Sequence, residues 1–201
     1  MSTRWQTAQL CEPAQGETES GDRVVEREAD GERLLVVIDA LGHGRKAAEA
    51  ATVAEKWLLA LEWPSAAVTS QGILEELHRQ LRGTRGAAAM VCLVRGTRLE
   101  GCGVGNVELR SVGTSVPVML SPGVLGSGSP IRLRPFSAEL TAPTSLFLFS
   151  DGVSSRAPFT ELARLTAAEA CGVLARDHRK AHDDGSVLVA KLDRVAHGAG
   201  N

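Results

Sequence analysis

The fold of this chain is decided by the stretch Leu34-Leu35-Val36-Val37-Ile38-Asp39-Ala40-Leu41-Gly42-His43-Gly44. Its five consecutive apolar residues have the length and the β-branching of a buried strand, and the glycine-punctuated loop after them predicts a turn. A helix is predicted next, over residues 45–61, because apolar residues recur there with helical spacing. A carboxylate inside such a core would be costly unless it were paired. Asp39 is therefore predicted to stand at the end of its strand, facing a cleft or a cation.

Two more acidic elements stand beside predicted strands. Residues 146–152 repeat the first pattern, because four apolar residues run into Ser-Asp-Gly, with the carboxylate at Asp151. The pair Asp183-Asp184 stands just before a last predicted strand over residues 186–192. The alternative is that these are ordinary turns, since Asp and Gly dominate turns in any protein.

A fourth carboxylate is brought in by a predicted hairpin. Residues 22–28 read as a strand, and the Asp30-Gly31 pair between this strand and the next is a strong local hairpin signal. If the hairpin forms, Asp22 and Asp39 lie at the same end of two paired strands and become neighbours.

The composition excludes some classes of function. With 201 residues, a net charge of −2, three Trp, four Phe and no Tyr, the chain offers neither a basic surface nor a stacking platform for nucleic acid. The four cysteines are scattered without metal-ligand spacing, and residues 1–10 do not have the pattern of a secretory signal. We therefore expect a cytoplasmic protein with no membrane partner.

The remaining pattern predicts antiparallel sheets packed between helices, an α/β protein. Residues 1–21 read as polar and turn-rich, and one domain is expected over residues 1–201, with a core of about 21–193 and with 1–20 and 194–201 peripheral. Further helices are predicted at 71–82, capped by Ser70, and from the Thr166-x-x-Glu169 capping box to about residue 178. Short strands are predicted at 87–94, 99–104, 107–112 and 116–120 as an antiparallel meander, then at 131–136 and 145–149, with a frayed tail at 197–201.

Clustered carboxylates suggest a particular chemistry. Like charges repel one another unless a cation neutralises them, and sites made only of oxygen ligands select Mg²⁺ or Mn²⁺ over Zn²⁺. Two such ions can activate a water for attack on phosphorus.

The motifs resemble a known family. Gly21-Asp22, Asp39-Ala-Leu-Gly-His-Gly, Ser150-Asp-Gly-Val and Asp183-Asp-Gly-Ser are similar, in order and spacing, to the metal-dependent protein phosphatases (PPM, type 2C), most of all to their SpoIIE/RsbX branch and its RsbX type. The resemblance implies an α-β-β-α sandwich with a two-ion Mn²⁺ or Mg²⁺ site at one end of the sheets. It also implies phosphoserine or phosphothreonine substrates, with a phosphorylated STAS-domain protein of a stressosome as the partner.

The same resemblance implies roles for individual residues. Asp39 would bridge the two ions, the Ala40 carbonyl would ligate the second, and Asp151 and Asp183 would complete the first. Asp22 would lie on or near the second ion, directly or through water, and a bridging hydroxide would be the nucleophile. Asp183 is preferred to Asp184 by its position in the motif alone. The Gly-Asn turn at residues 105–106 is given only a hairpin role.

Departures from the family pattern keep other functions open. Ala40 stands where the family usually has Gly, a methyl there could narrow the approach to a metal, and no general acid is identified. These departures motivate a pseudophosphatase that binds a phosphorylated partner with little turnover. A phosphatase for small phosphorylated molecules is a further alternative.

Overall fold

The structure, a computed structural model, describes residues 3–195 as ten strands and four helices. The strands are β1 Thr3–Glu12, β2 Asp22–Ala29, β3 Glu32–Ala40, β4 Ala87–Arg95, β5 Arg98–Val104, β6 Glu108–Val112, β7 Leu120–Ser121, β8 Phe136–Glu139, β9 Thr144–Phe149 and β10 Gly185–Arg194. The helices are α1 Arg45–Ala60, α2 Ser70–Gln80, α3 Phe159–Leu162 and α4 Ala167–Asp177. Within residues 3–195, no helix is both long enough and apolar enough to cross a membrane.

The strands form two sheets. One has the order β1-β10-β9-β6 and is antiparallel throughout. The other has the order β2-β3-β4-β5-β7, with β8 also paired to β5, and only its β5–β7 pair is parallel. One apolar layer lies between the sheets, a second joins the larger sheet to α1 and α2, and a third joins the smaller sheet to α3 and α4. The predicted α-β-β-α sandwich is confirmed.

Burial on both faces explains the apolar run in β3. Val36 and Ile38 belong to the layer beneath the helices, whereas Leu35 and Val37 belong to the layer between the sheets. Successive strand residues point to opposite faces, so a strand covered on both sides needs apolar residues without alternation.

The predicted hairpin is confirmed. Asp30 and Gly31 both have positive φ, 51° and 76°, as a tight turn between two twisted strands requires. The resulting register pairs Asp22 with Asp39.

The prediction of a turn-rich segment before Asp22 is wrong for Thr3–Glu12. This segment forms β1, which pairs with β10 along its whole length, from Thr3 opposite Arg194 to Glu12 opposite Gly185. As an edge strand it is only partly buried, so its sequence does not carry the continuous apolar signal of a central strand.

The predicted meander is also wrong. The edge of β5 away from β4 is occupied by β7 and β8, so β6 has no partner there and pairs with β9 in the other sheet. The strand predicted at 131–136 begins only at Phe136, after Pro135, because proline cannot donate to a strand ladder.

Smaller differences concern the ends of elements. The N-cap of α2 is Thr69, whose side chain accepts from the Gly72 N–H, and not Ser70. The capping box at Thr166 and Glu169 is present as predicted. The predicted tail at 197–201 lies outside the described residues.

Candidate metal centre

A pocket of about 430 Å³ brings together three of the predicted carboxylates. Asp39 comes from the end of β3, Asp151 follows β9, and Asp183 precedes β10. The pocket is lined by Asp39, Leu41, Gly42, Ala88, Gly105, Asn106, Gly123, Val124, Asp151 and Asp183. Strand ends from both sheets therefore place acidic residues that are remote in sequence around one cavity.

Asp22 lies beneath this pocket and does not line it. It stands opposite Asp39 in the β2–β3 ladder, and only 1% of its surface is exposed. Its Oδ2 accepts a hydrogen bond of 2.6 Å from the hydroxyl of Ser150. Ser150 is the residue directly before Asp151. Asp22 thus links the two carboxylate-bearing strand ends from below.

The structure separates the roles of Asp183 and Asp184. The Asp184 side chain is buried, and its two oxygens accept from the backbone N–H groups of Ala14 and Gly21, at 2.8 and 2.7 Å. Asp183 instead faces the pocket. Because Asp184 already holds two backbone groups, this geometry favours Asp183 as the candidate ligand.

Ala40 does not narrow the pocket with its methyl group. The residue is fully buried and belongs to the apolar layer beneath α1 and α2, on the opposite face of β3 from Asp39. Its N–H donates to the Gly21 carbonyl at 3.0 Å, while its own carbonyl remains a predicted ligand. Ala40, which replaces the glycine usual in the family, is therefore not among the residues that line the cavity.

The electrostatics of the cluster suit a cation. Burial raises the pKa of Asp39 from its ordinary 3.8 to about 8, and repulsion from Asp22, Asp151 and Asp183 adds to the rise. Burial also raises the pKa of Asp22 to about 7, opposed by the hydrogen bond from Ser150. The ionised cluster is thus unfavourable on its own, and a bound divalent cation would relieve its repulsion.

The chemistry of the donors fits Mg²⁺ or Mn²⁺, because all of the pocket's acidic ligands are oxygens. Within residues 3–195, no three His, Cys, Asp or Glu side chains are already grouped so that they could hold a metal ion. Mg²⁺ sites commonly use only one or two carboxylates and keep several waters, so a preformed protein cage is not required.

Asn106 is a pocket residue that the sequence did not assign. Its amide donates to Asp151 Oδ2 at 2.6 Å, and its proximity to Asp39 opposes the rise in the pKa of that carboxyl. The hairpin role given to the Gly-Asn turn is therefore incomplete, because this side chain holds the Asp151 carboxylate. The available signal was a polar amide two residues after the buried strand β5, which ends at Val104.

Metal-free protein is expected to gain stability on acidification. The folded-state pKa values of Asp22 and Asp39, about 7 and about 8, lie above the ordinary value of 3.8. At any pH between the ordinary and the folded-state pKa, the folded protein therefore binds more protons than the unfolded chain. Stability is then lost as pH rises through the folded pKa values, with a limiting slope of about 1.4 kcal/mol per pH unit for one group. Urea unfolding in EDTA, from about pH 8.5 down to about pH 5.5, measures this slope.

Asp39→Asn is the control for that measurement, because it removes one titrating group and should reduce the slope. A free energy of unfolding that stays flat or falls on acidification in wild-type protein would contradict the pKa assignments.

The fold places this chain in a class. Its two sheets with flanking helices are the architecture of the PPM-type serine/threonine phosphatases, which are its structural neighbours. No protein-family model matches the chain, and no curated protein sequence matches it.

Three solved structures illustrate the likeness. A structure described as "The bacterial stressosome: a modular system that has been adapted to control secondary messenger signaling" is 29% identical, with a TM-score of 0.84 over 93% of this chain and 99% of that chain. RsbX in complex with magnesium is 20% identical, with a TM-score of 0.80 over 94% and 96%. The catalytic domain of the phosphatase PstP, in complex with two manganese ions, is 17% identical, with a TM-score of 0.70 over 96% and 100%. At these identities, the RsbX and PstP structures show a shared fold.

Proposed function

We propose that this protein is a metal-dependent protein serine/threonine phosphatase of RsbX type, acting on a phosphorylated STAS-domain protein of a bacterial stress-signalling complex. The observation that carries the proposal is the shared pocket of Asp39, Asp151 and Asp183, three carboxylates far apart in sequence. Such a cluster, at one end of a sandwich with the fold of known phosphatases, suits two Mn²⁺ or Mg²⁺ ions.

In this proposal Asp39, Asp151, Asp183 and the Ala40 carbonyl hold the ions, which when bound would polarise the phosphate and ready a water for attack. Asp22 acts from beneath the pocket through its contact with Ser150. Asn106 orients Asp151, since its amide donates to that carboxylate.

The proposed partner is supported by two structural neighbours, and the proposed compartment by the state of the cysteines. Two of the similar structures, the one whose description names the bacterial stressosome and the magnesium complex of RsbX, match almost the whole chain. The four cysteines are free in the structure, which suits the reducing cytoplasm that we propose as the location.

Phosphate release from p-nitrophenyl phosphate tests the proposed activity. Purified protein is expected to turn this substrate over with Mn²⁺ and to lose activity in EDTA, with recovery when Mn²⁺ is restored. A phosphoserine STAS-domain protein should be hydrolysed with a higher kcat/KM than free phosphoserine, because only the protein can contact the surface around the pocket.

The same experiment separates the alternatives. Tight binding of a phosphopeptide without turnover would identify a binding module, and preference for free phosphoserine would identify a small-molecule phosphatase. Either result would overturn the proposed function.

A further inference from the structure

A second cavity adjoins the carboxylate pocket at Asp151. It has a volume of about 320 Å³ and shares only this residue with the first pocket. We call it the cationic groove, and it is lined by Glu108, Asp151, Val153, Ser154, Ser155, Arg156 and Lys180. A peptide whose phosphate enters the first pocket would pass the groove as its chain continues past Asp151.

The groove carries two basic side chains that could bind an anion, because neither pairs with a carboxylate of the described residues. Arg156 is exposed, and within residues 3–195 no carboxylate lies at ion-pair distance from its guanidinium. Lys180 also lacks a carboxylate partner in the described part of the chain, and its Nζ donates to the backbone carbonyl of Asp151 at 2.5 Å. That bond holds the ammonium group beside the border between the two cavities.

One negative side chain of the groove is already paired with a cation outside it. Glu108 pairs with Arg110 at 2.7 Å, so it does not neutralise Arg156 or Lys180. The remaining lining residues, apart from Asp151, are neutral. The groove thus presents positive charge immediately beside a pocket whose own side chains are acidic.

We propose, building on the phosphatase function above, that the cationic groove binds an acidic side chain next to the phosphorylated residue of the substrate. Consecutive Cα atoms are about 3.8 Å apart, so a Glu or Asp within two residues of the phosphoserine can reach the groove's cations. The substrate class is then an acidic phosphoserine or phosphothreonine segment, and a basic segment is disfavoured by repulsion.

Three phosphoserine peptides test this, identical except for Glu, Ala or Lys at the two positions on each side of the phosphoserine. Wild-type protein with Mn²⁺ is expected to prefer the Glu peptide to the Lys peptide in kcat/KM. One exposed ion pair corresponds to up to about a fivefold effect, so two independent contacts predict a preference of up to about 25-fold. Raising NaCl to about 1 M should shrink it, since the Debye length falls to about 3 Å.

Arg156→Glu is the decisive variant, because no hydrogen bond or ion pair joins the Arg156 side chain to another described residue, whereas replacing Lys180 would disturb the Asp151 backbone. This variant is expected to lower the Glu-to-Lys preference by about fivefold, the upper size of one exposed ion pair. Arg164→Glu makes the same charge change at an exposed arginine outside the groove and should leave the preference intact.

Binding measurements keep the groove testable if catalysis fails. Fluorescence anisotropy of the same labelled peptides reports their affinities without turnover. Absence of hydrolysis would overturn the phosphatase function, while an affinity preference that Arg156→Glu abolishes would still support the groove. Equal affinity of wild-type protein for the Glu and Lys peptides, or an equal loss in Arg164→Glu, would overturn the groove.

Discussion

Asp39→Asn is expected to lower Mn²⁺-dependent turnover of p-nitrophenyl phosphate by about a thousandfold, because loss of a metal's stabilisation of the transition state corresponds to several kcal/mol. Asp39 is the carboxylate on which the cluster acts most broadly, since Asp22, Asp151 and Asp183 all raise its pKa by repulsion. Isothermal titration with Mn²⁺ should show a parallel loss of affinity.

The loss should not come from unfolding. A buried carboxylate whose pKa is raised destabilises the metal-free fold at neutral pH, and a neutral amide removes that repulsion. The variant is therefore expected to melt no lower than wild-type protein in EDTA, a common trade-off between stability and function at such sites.

Asp30→Asn is the matched control. It makes the same chemical change at the opposite end of the β2–β3 hairpin, where asparagine tolerates the positive φ of 51°. Equal activity losses in the two variants, or full activity in Asp39→Asn, would remove Asp39 from the proposed centre.

Gly152→Ala is expected to destabilise the protein by about 3 kcal/mol or more, since overpacking of a rigid site costs about that much. A Cβ at this position would lie 1.8 Å from the Asp184 carbonyl oxygen, so the backbone must move. The movement would displace Asp151 and the segment carrying Asp183 and Asp184 together. For a chain of this size, the expected fall in melting temperature is about 6–12 °C.

The control for this effect is Gly172→Ala. Gly172 lies inside α4, and a Cβ there would meet no atom within 4 Å. Alanine favours helix, so this variant is expected to be as stable as wild-type protein or more stable by up to about 1 kcal/mol. Similar melting temperatures for the two variants would contradict the close packing described around Gly152.

Much of the metal centre could be predicted because its signal is local. A run of apolar residues that ends on an acid, as at Asp39 and Asp151, marks both a buried strand and the point where the chain leaves the core. The Asp30-Gly31 turn then fixes the register that brings Asp22 to Asp39. These inferences needed no knowledge of how the two sheets pack.

The missed features depend on contacts between distant parts of the chain. An edge strand such as β1 needs only partial burial, so its sequence resembles a polar loop until its partner β10 is known. The choice of sheet for β6 depended on β8 occupying the edge of β5. The role of Asn106 likewise depends on the Asp151 carboxylate, which only the folded sheets bring to it.

The pairing of β1 with β10 has a consequence for the synthesis of this protein. Chain segments emerge from the ribosome in order, and a ladder that joins Thr3 to Arg194 cannot close until Arg194 has emerged. Asp183 is delivered in the same late segment. A nascent chain therefore contains Asp22, Asp39 and Asp151 before Asp183 has been added. The complete pocket can form only after translation has passed β10.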